Sequence, residues 1–153
     1  MRAITYSAAL AACLALLACS GSAPLAPAGD PSRVVLRETP SSASLDPASI
    51  TRAAVRGDEL VLEVTYGGGC AEHDFAVYVH PGFMESLPVQ VRAQLTHDAH
   101  GDSCRALLGK ELRFDLRPLK EAYQRAYSAS GTVIVQLQAP GKASSTTPVT
   151  YSF

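Results

Sequence analysis

Apolar residues recur at every second position along most of this chain. Leu60, Leu62, Val64 and Tyr66 alternate with Val61, Glu63 and Thr65, and Val89, Val91, Ala93 and Leu95 alternate with Gln90, Arg92, Gln94 and Thr96. A strand turns successive side chains to opposite faces, so each run predicts a half-buried strand. The same period marks Phe75 to Val79, Leu112 to Leu116, Val133 to Leu137 and Val149 to Phe153, and extends more loosely to Ser49 to Val55 and Val34 to Arg37. That makes about seven or eight strands. One segment changes period: after Pro118, apolar groups fall at Leu119, Ala122, Tyr123, Ala126 and Tyr127. This spacing is the stripe of an amphipathic helix opened by proline, near 118–128. Turns such as Arg56-Gly57-Asp58 and His100-Gly101-Asp102 punctuate the strands. The pattern predicts a mainly β domain, an antiparallel β-sandwich with one short helix as a cross-connection.

The first residues follow a different logic. Met1-Arg2 precedes an apolar stretch from Ile4 to Ala18, and polarity changes abruptly at Cys19-Ser20-Gly21-Ser22-Ala23-Pro24. The stretch is rich in weakly apolar alanine and falls short of the roughly 18 residues a membrane span needs, so it reads as a cleavable signal peptide, residues 1–18. Leu16-Leu17-Ala18-Cys19 resembles the lipobox of bacterial lipoproteins, in which a diacylglyceryl group is placed on the cysteine before cleavage. Leu10-Ala11-Ala12-Cys13 is a second match to that pattern. Cleavage before Cys13 would leave a short apolar run behind it and another on the mature protein, whereas cleavage before Cys19 uses the whole run and exposes a linker of small residues. Cys19 is therefore the expected lipidation site. Residues 19–32 read as a flexible tether and 33–153 as the domain. The resemblance implies a cell-envelope protein held to the membrane by lipid, and Ser20 after the modified cysteine implies the outer membrane in bacteria that have one.

Charge and composition narrow the partners. The chain has 153 residues, 47% hydrophobic, with 13 basic and 14 acidic side chains. Losing residues 1–18 removes Arg2 alone, leaving 12 basic against 14 acidic. This near-balance argues against nucleic-acid binding, which needs a basic face. There is no Trp and only 7% aromatic residues, so stacking platforms for bases are scarce.

With Cys13 removed and Cys19 lipidated, Cys70 and Cys104 remain, and two thiols in an exported domain imply one disulfide. The competing reading is a metal site, since His73 follows Cys70 and His97 precedes Cys104; the second spacing is too long for a zinc knuckle. His97 also continues the apolar face of Val91, Ala93 and Leu95, which suits a buried, hydrogen-bonded structural histidine. Gly101-Asp102-Ser103 shares letters with serine hydrolases, but Cys104-Arg105 follow and no histidine lies after His100. Asp98 and Asp102 have a faint look of a calcium loop, yet Ser103 and Gly109 stand where an EF-hand needs Gly and Glu. A solvated turn with Asp98 and Asp102 in water is the simpler expectation. The closing Val149-Thr150-Tyr151-Ser152-Phe153 resembles the last strand of outer-membrane barrels, but the runs here are mostly shorter than the roughly 9–11 residues a spanning strand needs.

Together Gly67-Gly68-Gly69-Cys70-Ala71-Glu72-His73-Asp74-Phe75, Leu95-Thr96-His97-Asp98, Asp102 and Cys104 form a constellation similar to that of uncharacterised bacterial secreted domains of GGC-x-x-H-x-F pattern. The resemblance implies one folded unit and brings no activity with it. The expected architecture is Ig-like in broad outline. The expected function is a lipid-anchored envelope domain with a binding or structural role toward an unidentified protein or envelope partner, without catalysis and without a cofactor. The alternative is a metal- or small-ligand-binding domain using Glu72, His73, Asp74, His97, Asp98, His100 and Asp102 beside the bridge.

Overall fold

A computed structural model describes residues 31–141 and 145–153. The signal peptide, the Cys13 and Cys19 alternatives and nearly all of the tether lie outside the described residues.

Among the described residues the alternating runs form nine strands: β1 (Ser32–Arg33), β2 (Val35–Leu36), β3 (Ala48–Arg56), β4 (Glu59–Gly68), β5 (Asp74–Val79), β6 (Val89–Asp98), β7 (Ala106–Asp115), β8 (Thr132–Gln138) and β9 (Thr146–Ser152), with helix α1 (Arg117–Tyr127) between β7 and β8. They build two facing sheets, ordered β1-β7-β4-β3 and β2-β5-β6-β8-β9. The expected sandwich is present. The segment around Val34 forms two short strands, one in each sheet, and Val34 between them is buried.

The sheets are mixed rather than purely antiparallel. β1 pairs parallel with β7, β2 with β5, and β6 with β8 in register Val89↔Val133 to Gln94↔Gln138. The β6–β8 pairing follows from the route of the chain. The chain crosses to the other sheet after β6, β7 runs back to the end where β6 began, and α1 carries the chain over that end to β8, so β8 runs the same way as β6. Such a crossover needs an intervening element, which alternation in single strands does not reveal.

The inward positions are those the alternation marked. Leu60, Leu62 and Val64 of β4 and Leu112 and Phe114 of β7 meet Val77, Val79, Val91, Ala93, Leu95, Val133, Val135, Leu137, Val149 and Tyr151 of the opposing sheet, all buried. Burying one such Val or Leu side chain stabilises by about 1.5–3 kcal/mol, so this double row holds the layers together. α1 closes one end through Leu119 and Tyr123; Ala126 and Tyr127, expected on its buried face, are exposed. The helix is therefore stapled by its first two turns, and its C-terminal residue Tyr127 rests on Phe83 and Tyr123 at the surface.

At the opposite end β4 and β6 finish while β3, β5 and β7 begin. Three connections converge there: the segment leading into β3, the β4–β5 loop and the β6–β7 crossing between sheets. Among the described residues, this end carries both cysteines, Cys70 and Cys104, and most of the histidines and acids that the sequence singled out.

Candidate functional site

The β4–β5 and β6–β7 connections are joined by a disulfide, Cys70–Cys104, with Cα atoms 5.9 Å apart, inside the range such bridges require. Beside it the Asp102 carboxylate lies in a cradle of backbone amides. Its Oδ2 accepts from the N–H groups of Gly69 at 2.8 Å, Cys70 at 2.8 Å and Ala71 at 3.0 Å, and its Oδ1 accepts from Cys104 N at 2.8 Å. Three successive amides pointing inward make an anion-binding nest, here filled by the protein's own acid. The amides of Cys104 and Cys70, then His73, hold the Asp102 carboxyl far below its ordinary range. Expected in water, the Asp102 side chain is instead fully covered. The loop it belongs to is not a hairpin tip but a crossing between sheets, which carries Asp102 back over the β4–β5 loop.

Gly68 makes this approach possible. Its φ is +147°, and a Cβ there would lie 2.6 Å from His73 Cε1 and Nε2 and 3.0 Å from Asp102 Oδ2. Among the three consecutive glycines, the first, Gly67, has open space around it. The second is therefore the one the cluster demands.

His73 and His97 continue the chain of contacts inward. His73 Nε2 lies 3.2 Å from Asp102 Oδ2, His73 Nδ1 lies 2.8 Å from His97 Nε2, and His97 Nδ1 lies 3.1 Å from the Asp46 carbonyl. Both histidines are buried, His97 to 1% exposure. Tyr66 from the facing sheet packs on both rings, and Phe75, the cross-strand partner of His97, stacks on it at 4.4 Å and 5°. His97 thus occupies the inward row of β6 as the alternation predicted. Its backbone also holds a strap, residues 44–46: Asp46 N donates to His97 O at 3.0 Å and His97 N to Ser44 O at 3.2 Å. The strap takes over beside β6 where the β8 pairing, which ends at Gln94, stops.

The remaining candidates form a separate surface group. Asp74 and Asp98 are directly opposed across β5 and β6. Like charges in that position repel. His100 sits against both, its Nε2 2.9 Å from Asp74 Oδ2 and its Nδ1 3.7 Å from Asp98 Oδ1. The hydrogen bond to Asp74, then the Asp98 charge, raises the His100 pKa above its ordinary value. Asp98 is held low chiefly by the His100 amide. Glu72 is exposed on the β4–β5 loop.

Chemically the two groups differ. Asp98 and Asp102 do not converge, so the calcium-loop arrangement does not form. A zinc ion bound by both histidines needs about 2.0–2.1 Å to each nitrogen, yet the His73 and His97 nitrogens already meet at hydrogen-bond distance. Cys70, Asp102 and Cys104 bring ligand atoms within 4.8 Å of one another, but the two sulfurs are bonded together. Ser103 is exposed in the loop. The Asp58 of the Arg56-Gly57-Asp58 hairpin turns its carboxylate to the buried Tyr151 hydroxyl, which donates at 2.7 Å, at the other end of the sandwich. Tyr66 and the Asp46 carbonyl were not singled out as site groups from the sequence, and Gly68 was named only within the constellation around Cys70. Gly68 alone left a signal there, as the middle of three glycines before Cys70.

No family model matches the chain, and no curated protein matches it in sequence. Among solved structures it is similar in fold to a NigD-like immunity protein from Bacteroides caccae (TM-score 0.51, 16% identity, covering 78% of this chain and 59% of that one). It is similar also to a protein of unknown function, DUF1344, from Bacteroides vulgatus (TM-score 0.53, 12% identity, covering 80% of this chain and 57% of that one). The chain thus spans under three fifths of the length of each, and at these identities the likeness concerns the fold alone.

Proposed function

We propose that the chain is a lipid-anchored protein of the bacterial envelope whose domain works by binding or by structure rather than by catalysis. The observation that carries the non-catalytic part is the far end of the Asp102–His73–His97 series: it finishes on the Asp46 backbone carbonyl. An acid–base relay must deliver or remove a proton at a reacting group, and a carbonyl already bonded inside the fold is not one. The same contacts bind three connections into one rigid end, which is the work of a structural lock. A disulfide beside them supports an oxidising compartment. The resemblance of Leu16-Leu17-Ala18-Cys19 to a lipobox supports the anchor, and Ser20 supports the outer membrane as its destination.

Expression of the full chain and of Cys19→Ala in a bacterial host, with a labelled fatty acid and fractionation, tests the reading. Two or more acyl chains hold a protein stably to a bilayer. The wild type is expected labelled and in the membrane fraction, and Cys19→Ala unlabelled and shifted to the soluble fraction. A labelled, membrane-bound Cys19→Ala would reject Cys19 as the anchor.

A further inference from the structure

Three contacts run in series through the two buried rings. Asp102 Oδ2 meets His73 Nε2 at 3.2 Å, His73 Nδ1 meets His97 Nε2 at 2.8 Å, and His97 Nδ1 meets the Asp46 carbonyl at 3.1 Å. Each needs one proton, because two lone pairs facing each other at such distances repel. Neither end of the series supplies one. The Asp46 oxygen is a backbone carbonyl, which only accepts. Asp102 Oδ2 already accepts from Gly69, Cys70 and Ala71, and these donors keep the carboxylate ionised. All three protons must therefore come from the rings, and two neutral imidazoles carry only two. Turning a ring over does not remove the shortfall. All four ring nitrogens are engaged, and a flip would place carbons at both contacts of that ring.

We propose that His73 and His97 hold three ring protons between them in the folded protein, a single buried positive charge that latches the 44–46 strap to the β4–β5 loop and lets go as pH rises. The surroundings suit a cation. Tyr66 lies 4.8 Å from the His73 ring and 5.2 Å from the His97 ring, and Phe75 covers the face of His97. Aromatic faces attract positive charge. The other charged or titratable groups facing the pair are Tyr66 from β4, the Asp46 carboxylate held by the Ala99 amide, and Asp98 at the end of β6. From β7, Lys110 places its ammonium 5.7 Å from the Phe75 ring, and from the β6–β7 loop His100 is engaged by Asp74. Carboxylates outnumber cations around the rings. When the third proton leaves, one contact of the series faces two lone pairs. Asp102 is fixed by five hydrogen bonds, four of them from backbone amides, whereas the strap is held by two backbone bonds to His97, the Ala99 amide on the Asp46 carboxylate and a Ser44–Asp98 contact at the exposed edge. The strap is the end that opens.

Ring-nitrogen NMR of the detergent-solubilised full chain, labelled with ¹⁵N-histidine, counts these protons directly. At neutral pH three of the four His73 and His97 ring nitrogens are expected to be protonated; two of four overturns the proposal. Amide exchange then tests the latch. After correction for the intrinsic pH dependence, protection at Asp46 and His97 is expected to fall about tenfold or more as pH rises while Leu95 and Val135 stay protected. Equal behaviour of the two sets overturns the latch.

Discussion

Replacing Gly68 by alanine asks whether the buried polar end depends on close approach of backbone to ring. The new Cβ would sit 2.6 Å from His73 Cε1 and Nε2 at a residue whose φ is +147°. Holding a non-glycine residue in such a conformation costs about 1–3 kcal/mol. The imidazole must also move, which breaks its hydrogen bond to His97, worth about 1 kcal/mol net. Together these give a destabilisation of about 3 kcal/mol, a large fraction of the roughly 5–15 kcal/mol that holds a domain folded. Gly67 is the control. A Cβ there meets nothing within 4 Å, so Gly67→Ala is expected to change stability by less than about 0.5 kcal/mol. Urea unfolding of the oxidised proteins, followed by far-ultraviolet circular dichroism, measures both, with the midpoint shifting and the slope unchanged. Equal midpoints for Gly68→Ala and Gly67→Ala would refute the account of the cluster.

The bridge closes a span of 34 residues, so Cys70→Ala with Cys104→Ala is expected to cost about 4 kcal/mol in the same assay, and a midpoint unmoved by reduction of the wild type would contradict it. On the acid side, Asp102 and Asp115 are both held below the ordinary carboxylate value of 3.8, Asp102 chiefly by backbone amides and Asp115 chiefly by Arg117. Their contribution is present above 3.8 and is lost as pH falls through the depressed values. Melting temperature is thus expected to fall steeply below that point, with a shallower fall in Asp115→Asn. His100 has the opposite sign: raised above 6.5, it stabilises fully below that value and progressively less as pH climbs through its folded value. In His100→Ala the decline in melting temperature above pH 6.5 is expected to flatten, and 1 M salt is expected to mask the difference because the pair is exposed.

Much of the fold is legible because a single-face sheet forces alternation. Every strand longer than two residues overlaps a period-two run, although β7 begins at Ala106, six positions before its run at Leu112, and Leu60, Leu62, Val64, Val133, Val135 and Leu137 are buried where the pattern put them. His97 is legible for the same reason, as the next inward position after Leu95. Parallel pairing of β6 with β8 is not, because alternation in a strand is blind to the identity and direction of its neighbour. His73 is in phase with Phe75, Val77 and Val79 but precedes β5, which begins at Asp74, so only an extension of the strand's period into the loop marks it as buried. Asp102 is the clearest case. A Gly-Asp turn suggests solvent, but the amides that capture this carboxylate belong to Gly69, Cys70 and Ala71, more than thirty positions away. In the sequence those two segments were tied together by the Cys70–Cys104 pairing and by the constellation that contains both. Asp46 contributes a backbone carbonyl to the cluster, and any residue could supply that group there.

The central claim is that this is an exported, lipid-bearing, disulfide-closed domain, and the intact mass of the protein extracted from the membrane fraction tests it most directly. The account predicts a mature chain beginning at Cys19, carrying a diacylglyceryl group and two hydrogens lighter for the Cys70–Cys104 bridge. A mass that begins at Cys13, retains residues 1–18, lacks lipid or shows two free thiols would contradict it.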